Sequence, residues 1–110
     1  MAKVKFLVQG SAPDPYEVTF IKDGNNMTAL CTCAAGQNGQ YCKHRIRILD
    51  GAISGIVSDN TAAVKTVTTW LVGTAIEAAL REVKVAEAEM EKAEKNLTRV
   101  KKALARAMHN

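Results

Sequence analysis

Aromatic side chains are scarce in this chain: one tryptophan, two tyrosines and two phenylalanines among 110 residues. So few rings leave little for stacking nucleic-acid bases, and the apolar material is mostly alanine and valine. No apolar run reaches the roughly 18 residues needed to cross a bilayer, so no membrane-spanning helix is expected. Lys3 and Lys5 are followed only by Phe6-Leu7-Val8 before Gln9 and Gly10, too short a run for a secretory signal. Also missing are the glycine loop of a nucleotide site, a paired-acid motif and any hydrolase signature. The expectation is a protein that is not an enzyme. Cysteine is limited to three residues, which cannot all pair within one chain. Reduced thiols fit a cytosolic compartment, so a cytoplasmic location, or a nucleoid or nuclear one, is expected.

What is present is concentrated in four residues. Cys31-Thr-Cys33 is followed, after eight residues, by Cys42-Lys-His44. Residues two apart on an extended strand point to the same face, so Cys31 and Cys33 can reach one metal together. Cys42 and His44 sit where the chain should turn into a helix. Between the pairs, Gly36 and Gly39 allow the reversal. Three thiolates and one imidazole make a closed tetrahedral Zn2+ site of the structural kind. Other readings stand beside it. Free cysteines are often buried as small hydrophobes, but Thr32, Gln40 and Lys43 make this stretch polar. A Cys/His nucleophile pair is conceivable, yet no orienting third group accompanies it. A Cys31–Cys33 disulfide would close a very small ring.

The C-x-C…C-x-H pattern resembles the SWIM-type zinc finger, over roughly residues 20–49. The resemblance implies a β-hairpin feeding a helix around zinc. SWIM fingers occur in chromatin-remodelling helicases, transposases, recombination-associated proteins and ubiquitin-related factors, where they are implicated in DNA or protein binding. They usually sit inside larger chains.

The first half reads as a small sheet. Val4, Phe6 and Val8 alternate with polar residues, as do Tyr16, Val18 and Phe20. Pro13 and Pro15 mark a loop between them, and Asp23-Gly24-Asn25-Asn26 reads as a hairpin turn. A third strand, residues 27–33, puts Met27, Ala29, Cys31 and Cys33 on one face. From Cys42 a short helix, with Ile46 and Leu49 inward, should end near Asp50-Gly51. Residues 52–59 are open between helix, strand and loop. A helix is expected from Asp59 or Asn60, either a good N-cap, to about Val72, with Val64, Val67, Trp70 and Leu71 on its face. Thr66, Thr68 and Thr69 weaken it intrinsically, so packing must hold it. Thr74-Ala-Ile-Glu77 matches a capping box.

The last third carries a heptad. Ile76, Val83, Met90, Leu97 and Leu104 recur every seven residues, and Ala79, Ala86, Ala93, Val100 and Ala107 fill the row offset by three. This is a coiled-coil seam. A helix of residues 60–72 is about 20 Å long and one of 34 residues about 50 Å, so the shorter can cover less than half of the seam. Self-association over residues 74–108 is the expected cover. Residues 74–95 hold six glutamates against four bases, and the last fifteen residues hold four bases and no acid. Antiparallel pairing sets the acidic end against the basic one. The basic tail can attract phosphate or complement the helix dipole, and the second reading is preferred.

The expected fold class is therefore α+β: a small antiparallel meander with a zinc-bound short helix, followed by a helical hairpin or long coiled-coil helix. The expected domains are a SWIM-like finger at 1–51 and a helical extension at 52–110. The expected function is a zinc-binding adaptor whose finger recognises a protein partner and whose stalk makes a homodimer, away from membranes. The alternative is direct DNA binding through Lys43, Arg45 and Arg47. Solvated basic side chains on a finger helix are an equally ordinary account of those three. His109 and Trp70 are not expected to serve as functional residues.

Overall fold

A computed structural model describes residues 1–109, and Asn110, the end of the expected extension, lies outside the described residues. The fold is α+β. Strands β1 (Ala2–Val8), β2 (Tyr16–Asp23) and β3 (Asn26–Cys31) form an antiparallel meander in that order. There follow a one-turn helix α1 (Ala34–Gln37), helix α2 (Lys43–Leu49), a 3-10 turn (Thr61–Ala63) running into α3 (Val64–Leu71), and the long helix α4 (Ala75–Ala107).

Alternation decides the sheet. Phe6 pairs with Val18, which pairs with Cys31; Val4 pairs with Phe20, which pairs with Ala29. All six side chains therefore share one face, and Phe6, Val18 and Phe20 are fully buried on it. The two phenyl rings meet edge to face at 6.0 Å. The β2–β3 connection is a two-residue hairpin in which Gly24 alone takes positive φ, at 59°. A positive angle at the first turn position only is the type II′ pattern that suits the strand twist.

Residues 52–59, ambiguous in sequence, form neither a helix nor a strand but a strap along the outer edge of β1. Ile56 bridges to Val8, and the Val57 and Gln9 N–H groups donate to Leu7 and Gly55 carbonyls. Ser58 Oγ accepts from the Leu7 N–H, and Asn60 Nδ2 donates to the Lys5 carbonyl. An edge that could otherwise template another strand is thereby closed.

Two compact units divide the chain, Met1–Glu77 and Ala78–Asn110. The first contains the expected finger segment 1–51 together with residues 52–77. In it, α2 packs on α3, and Ile48, Leu49, Val64 and Val67 are buried. Helix α2 ends as expected. Gly51 takes φ 91°, its N–H donates to the Ile48 carbonyl, and the Ala52 N–H donates to the Arg47 carbonyl. Those two bonds are the Schellman pair. Helix α3 is shorter than expected, because Asn60 opens a 3-10 turn rather than an α-helix.

Helix α4 begins where the capping box predicts. Thr74 Oγ1 accepts from the Glu77 N–H, and the Glu77 carboxylate accepts from the Gly73 N–H. Over its 33 residues it runs about 50 Å. In the second unit the seam residues Met90, Leu97, Val100 and Leu104 are 41–65 % exposed. Among the described residues, no helix is long and apolar enough to cross a membrane.

Candidate metal centre

Each of the four expected ligands is delivered by the end of an element. Cys31 is the last residue of β3, on the buried face opposite Val18. Cys33 is the N-cap of α1, and its sulfur accepts from the Gly36 N–H at 3.3 Å. Cys42 is the N-cap of α2, in extended conformation, and His44 lies in the first turn of that helix. Strand end and helix start face each other, and the four donor atoms lie within 4.8 Å of one another.

Three of the six donor–donor edges come close to those of a tetrahedral site. Zinc bonds of about 2.3 Å to sulfur and about 2.0 Å to nitrogen put S···S edges near about 3.8 Å and S···N edges near about 3.6 Å. Cys33 Sγ lies 3.4 Å from Cys42 Sγ. His44 Nδ1 lies 3.6 Å from Cys42 Sγ and 3.8 Å from Cys31 Sγ. The three cysteines are buried and free of disulfides.

Charge points the same way. Burial pushes the Cys31 thiol up to about 12, helped by its hydrogen bonds with the Cys33 and Cys42 side chains and by the Cys42 charge, against the Cys33 backbone N–H. Burial acts on Cys42 in the same direction. There the Arg45 backbone hydrogen bond and those with the Cys33, Cys31 and His44 side chains outweigh it and bring the thiol down to about 6. Cys31 is thus the thiol that holds its proton and Cys42 the one that gives it up, and a bound dication favours the thiolate form of both. The donor set, its burial and its spacing are positioned for a metal ion and suit Zn2+.

Two supports around the cluster have little sequence signal. The first is Gly36: a Cβ there would stand 2.4 Å from the Cys31 carbonyl oxygen and 2.9 Å from the Cys31 Cβ. Only glycine lets α1 fold back over the first ligand. The loop expected over residues 34–41 therefore contains a helical turn capped by a metal-site sulfur, and the Cys33-to-Gly36 spacing of three is its one trace in the sequence. The second is Tyr16, whose ring lies 4.9 Å from the His44 ring.

The three basic residues expected near nucleic acid do not act together. Arg45 turns inward and donates to the Ala29 carbonyl at 3.1 Å and the Gln40 carbonyl at 2.6 Å. It ties β3 to the loop before α2. Lys43 and Arg47 are exposed and line a different cavity, one turn apart on α2.

Residues 6–50 match the family model described as SWIM zinc finger. The match begins at Phe6, so it takes in the end of β1 and all of β2 as well as the segment around the ligands. No curated protein and no solved structure matches the chain.

Proposed function

We propose that the SWIM zinc finger of residues 6–50 is the recognition head of an adaptor for a protein partner, and that α4 is a stalk through which two copies associate. Cys31, Cys33, Cys42 and His44 hold one Zn2+ per head. Four protein donors leave no open position on the metal, so its role is to fold the head rather than to do chemistry. The observation that carries this reading is the Cys3His cluster, with three buried sulfurs and a half-buried imidazole whose donor atoms lie within 4.8 Å of one another.

Two further observations support a protein partner over nucleic acid. Arg45 spends its guanidinium on backbone carbonyls, which leaves two free cations on the finger helix where three were expected. The phosphate-driven binding of nucleic acid needs more than two such contacts to be strong at physiological salt. The head also lacks a row of exposed rings on which bases could stack.

The stalk reading rests on a heptad that is complete in sequence and exposed in the second unit. Antiparallel pairing brings Glu-rich and Lys/Arg-rich ends together and lets large residues of one helix enter the alanine row of the other. Light scattering and a gel shift on the zinc-loaded chain test both halves. The expected results are a dimer mass at micromolar concentration and no DNA shift at about 0.15 M ionic strength. A clean monomer mass refutes the stalk. A salt-dependent shift that is lost in the Lys43→Glu/Arg47→Glu variant replaces the adaptor with a nucleic-acid binder.

A further inference from the structure

Beside the metal centre the head has a second feature, a cavity of about 200 Å3 between the end of β1, the strap and α2. Its floor is aliphatic: Val8 and Ile48 are buried, and Ile56 is half-buried. Its rim is cationic, with Lys43 and Arg47 on adjacent turns of α2. No carboxylate lines it, and neither cation is in a salt bridge among the described residues.

The metal-site histidine forms part of the same wall. His44 Nδ1 faces the sulfurs, so Nε2 carries the ring proton whenever Nδ1 ligates a metal. Nε2 is turned toward Gly10, where an added Cβ would come within 3.3 Å of it. Gly10 and His44 both line the cavity. Among the described residues this nitrogen has no hydrogen-bond acceptor. Metal-ligating histidines almost always give that second N–H to a carboxylate, a carbonyl or water. Here the fold supplies none of its own carboxylates, although it places two cations beside the donor.

The geometry points to a docking site for a peptide segment in which a carboxylate lies next to an aliphatic side chain. The carboxylate sits between Lys43, Arg47 and the His44 Nε2–H, and the aliphatic group rests on Val8, Ile48 and Ile56. The inference rests on the adaptor reading and specifies the chemistry of its partner. A nucleic-acid phosphate fits the rim but has no use for an aliphatic floor. A terminal carboxylate and an Asp or Glu side chain offer the same chemistry.

Amide NMR shifts of the zinc-loaded full chain test this with four probes: a capped Leu-Asp-Leu peptide, its Leu-Asn-Leu counterpart, an N-acetylated Ala-Ala-Leu with a free C-terminus, and a short DNA duplex. The expected result is saturable movement of the Gly10, Ser11 and Gly55 amides with one or both carboxylate peptides. Which of the two moves them tells a side-chain from a terminal carboxylate. Affinity should fall about tenfold or more in the Lys43→Glu/Arg47→Glu variant, whose changes are at exposed positions and leave the fold intact. Ser54→Trp, which fills the recess from its rim, should abolish the shifts as well. Equal binding of the Asn peptide overturns the proposal, because the carboxylate is then unnecessary. Movement of these amides by DNA alone overturns it in favour of phosphate and overturns the adaptor reading with it. Silence with all four probes overturns the docking site and leaves the adaptor reading standing on its own tests.

Discussion

At Gly36 a single hydrogen atom decides whether the metal centre closes. The Cys31 carbonyl occupies the space a methyl group would need, and it is backbone, so it cannot rotate away. Gly36→Ala should therefore lower the unfolding free energy of the zinc-loaded chain by about 2–3 kcal/mol. Gly39→Ala, in open space but at φ 69°, should cost about 1 kcal/mol. Equal denaturation midpoints for the two variants would contradict the close approach at Gly36. Arg45 illustrates the same scale differently. Its composition class says "basic, near the finger", whereas its contacts make it a clamp on two carbonyls. Arg45→Ala should cost about 2 kcal/mol of stability, and Lys43→Ala or Arg47→Ala less than about 0.5 kcal/mol. Three similar values in urea titrations would put all three side chains back on the surface.

Among the elements, those governed by short-range patterns are legible in the order of the amino acids alone. The alternation of Val4, Phe6 and Val8 with Lys3, Lys5 and Gln9 fixes β1, Gly24 fixes the hairpin, and Thr74 with Glu77 starts α4. The clustering of Cys31, Cys33, Cys42 and His44 is legible as well, although β3 ends at Cys31 and Cys33 caps α1 instead of continuing the strand expected to residue 33. What escapes is contact between segments distant in sequence. Ser58 falls in the ambiguous stretch and Asn60 reads as a helix start, and their use as caps on the β1 edge depends on where the chain returns. The same holds for the recess beside His44, which β1, α2 and the strap build together. Helix α4 is the opposite case: its heptad is plain in sequence, and its large residues from Met90 onward are exposed along one stripe, where the proposed second copy would pack. Leu97, 52 % exposed, sits in the middle of that stripe. Leu97→Glu should turn a light-scattering dimer into a monomer while leaving helical circular dichroism in place. A dimer that survives the change would place the self-association elsewhere.

The molecule as a whole joins a small head to a long amphipathic helix, each with its own source of order. Phe6, Val18, Phe20 and Val67 are the side chains buried most completely, and burial contributes about 1.5–3 kcal/mol for each. That is a thin core to set against the entropy of ordering the head. A structural zinc contributes on the order of 10 kcal/mol, enough to decide whether the head folds. The helix draws instead on its cap and its propensity, and on the proposed pairing of its seam. Loss of metal should thus unfold the sheet and leave α4 helical, a separation that Cys33→Ser should reproduce. The most direct measurement is the metal content of the full chain, purified under reducing conditions without chelator and weighed by native mass spectrometry. The expected result is one zinc for each chain, lost in Cys33→Ser. A wild-type chain that is folded and carries no zinc would contradict it.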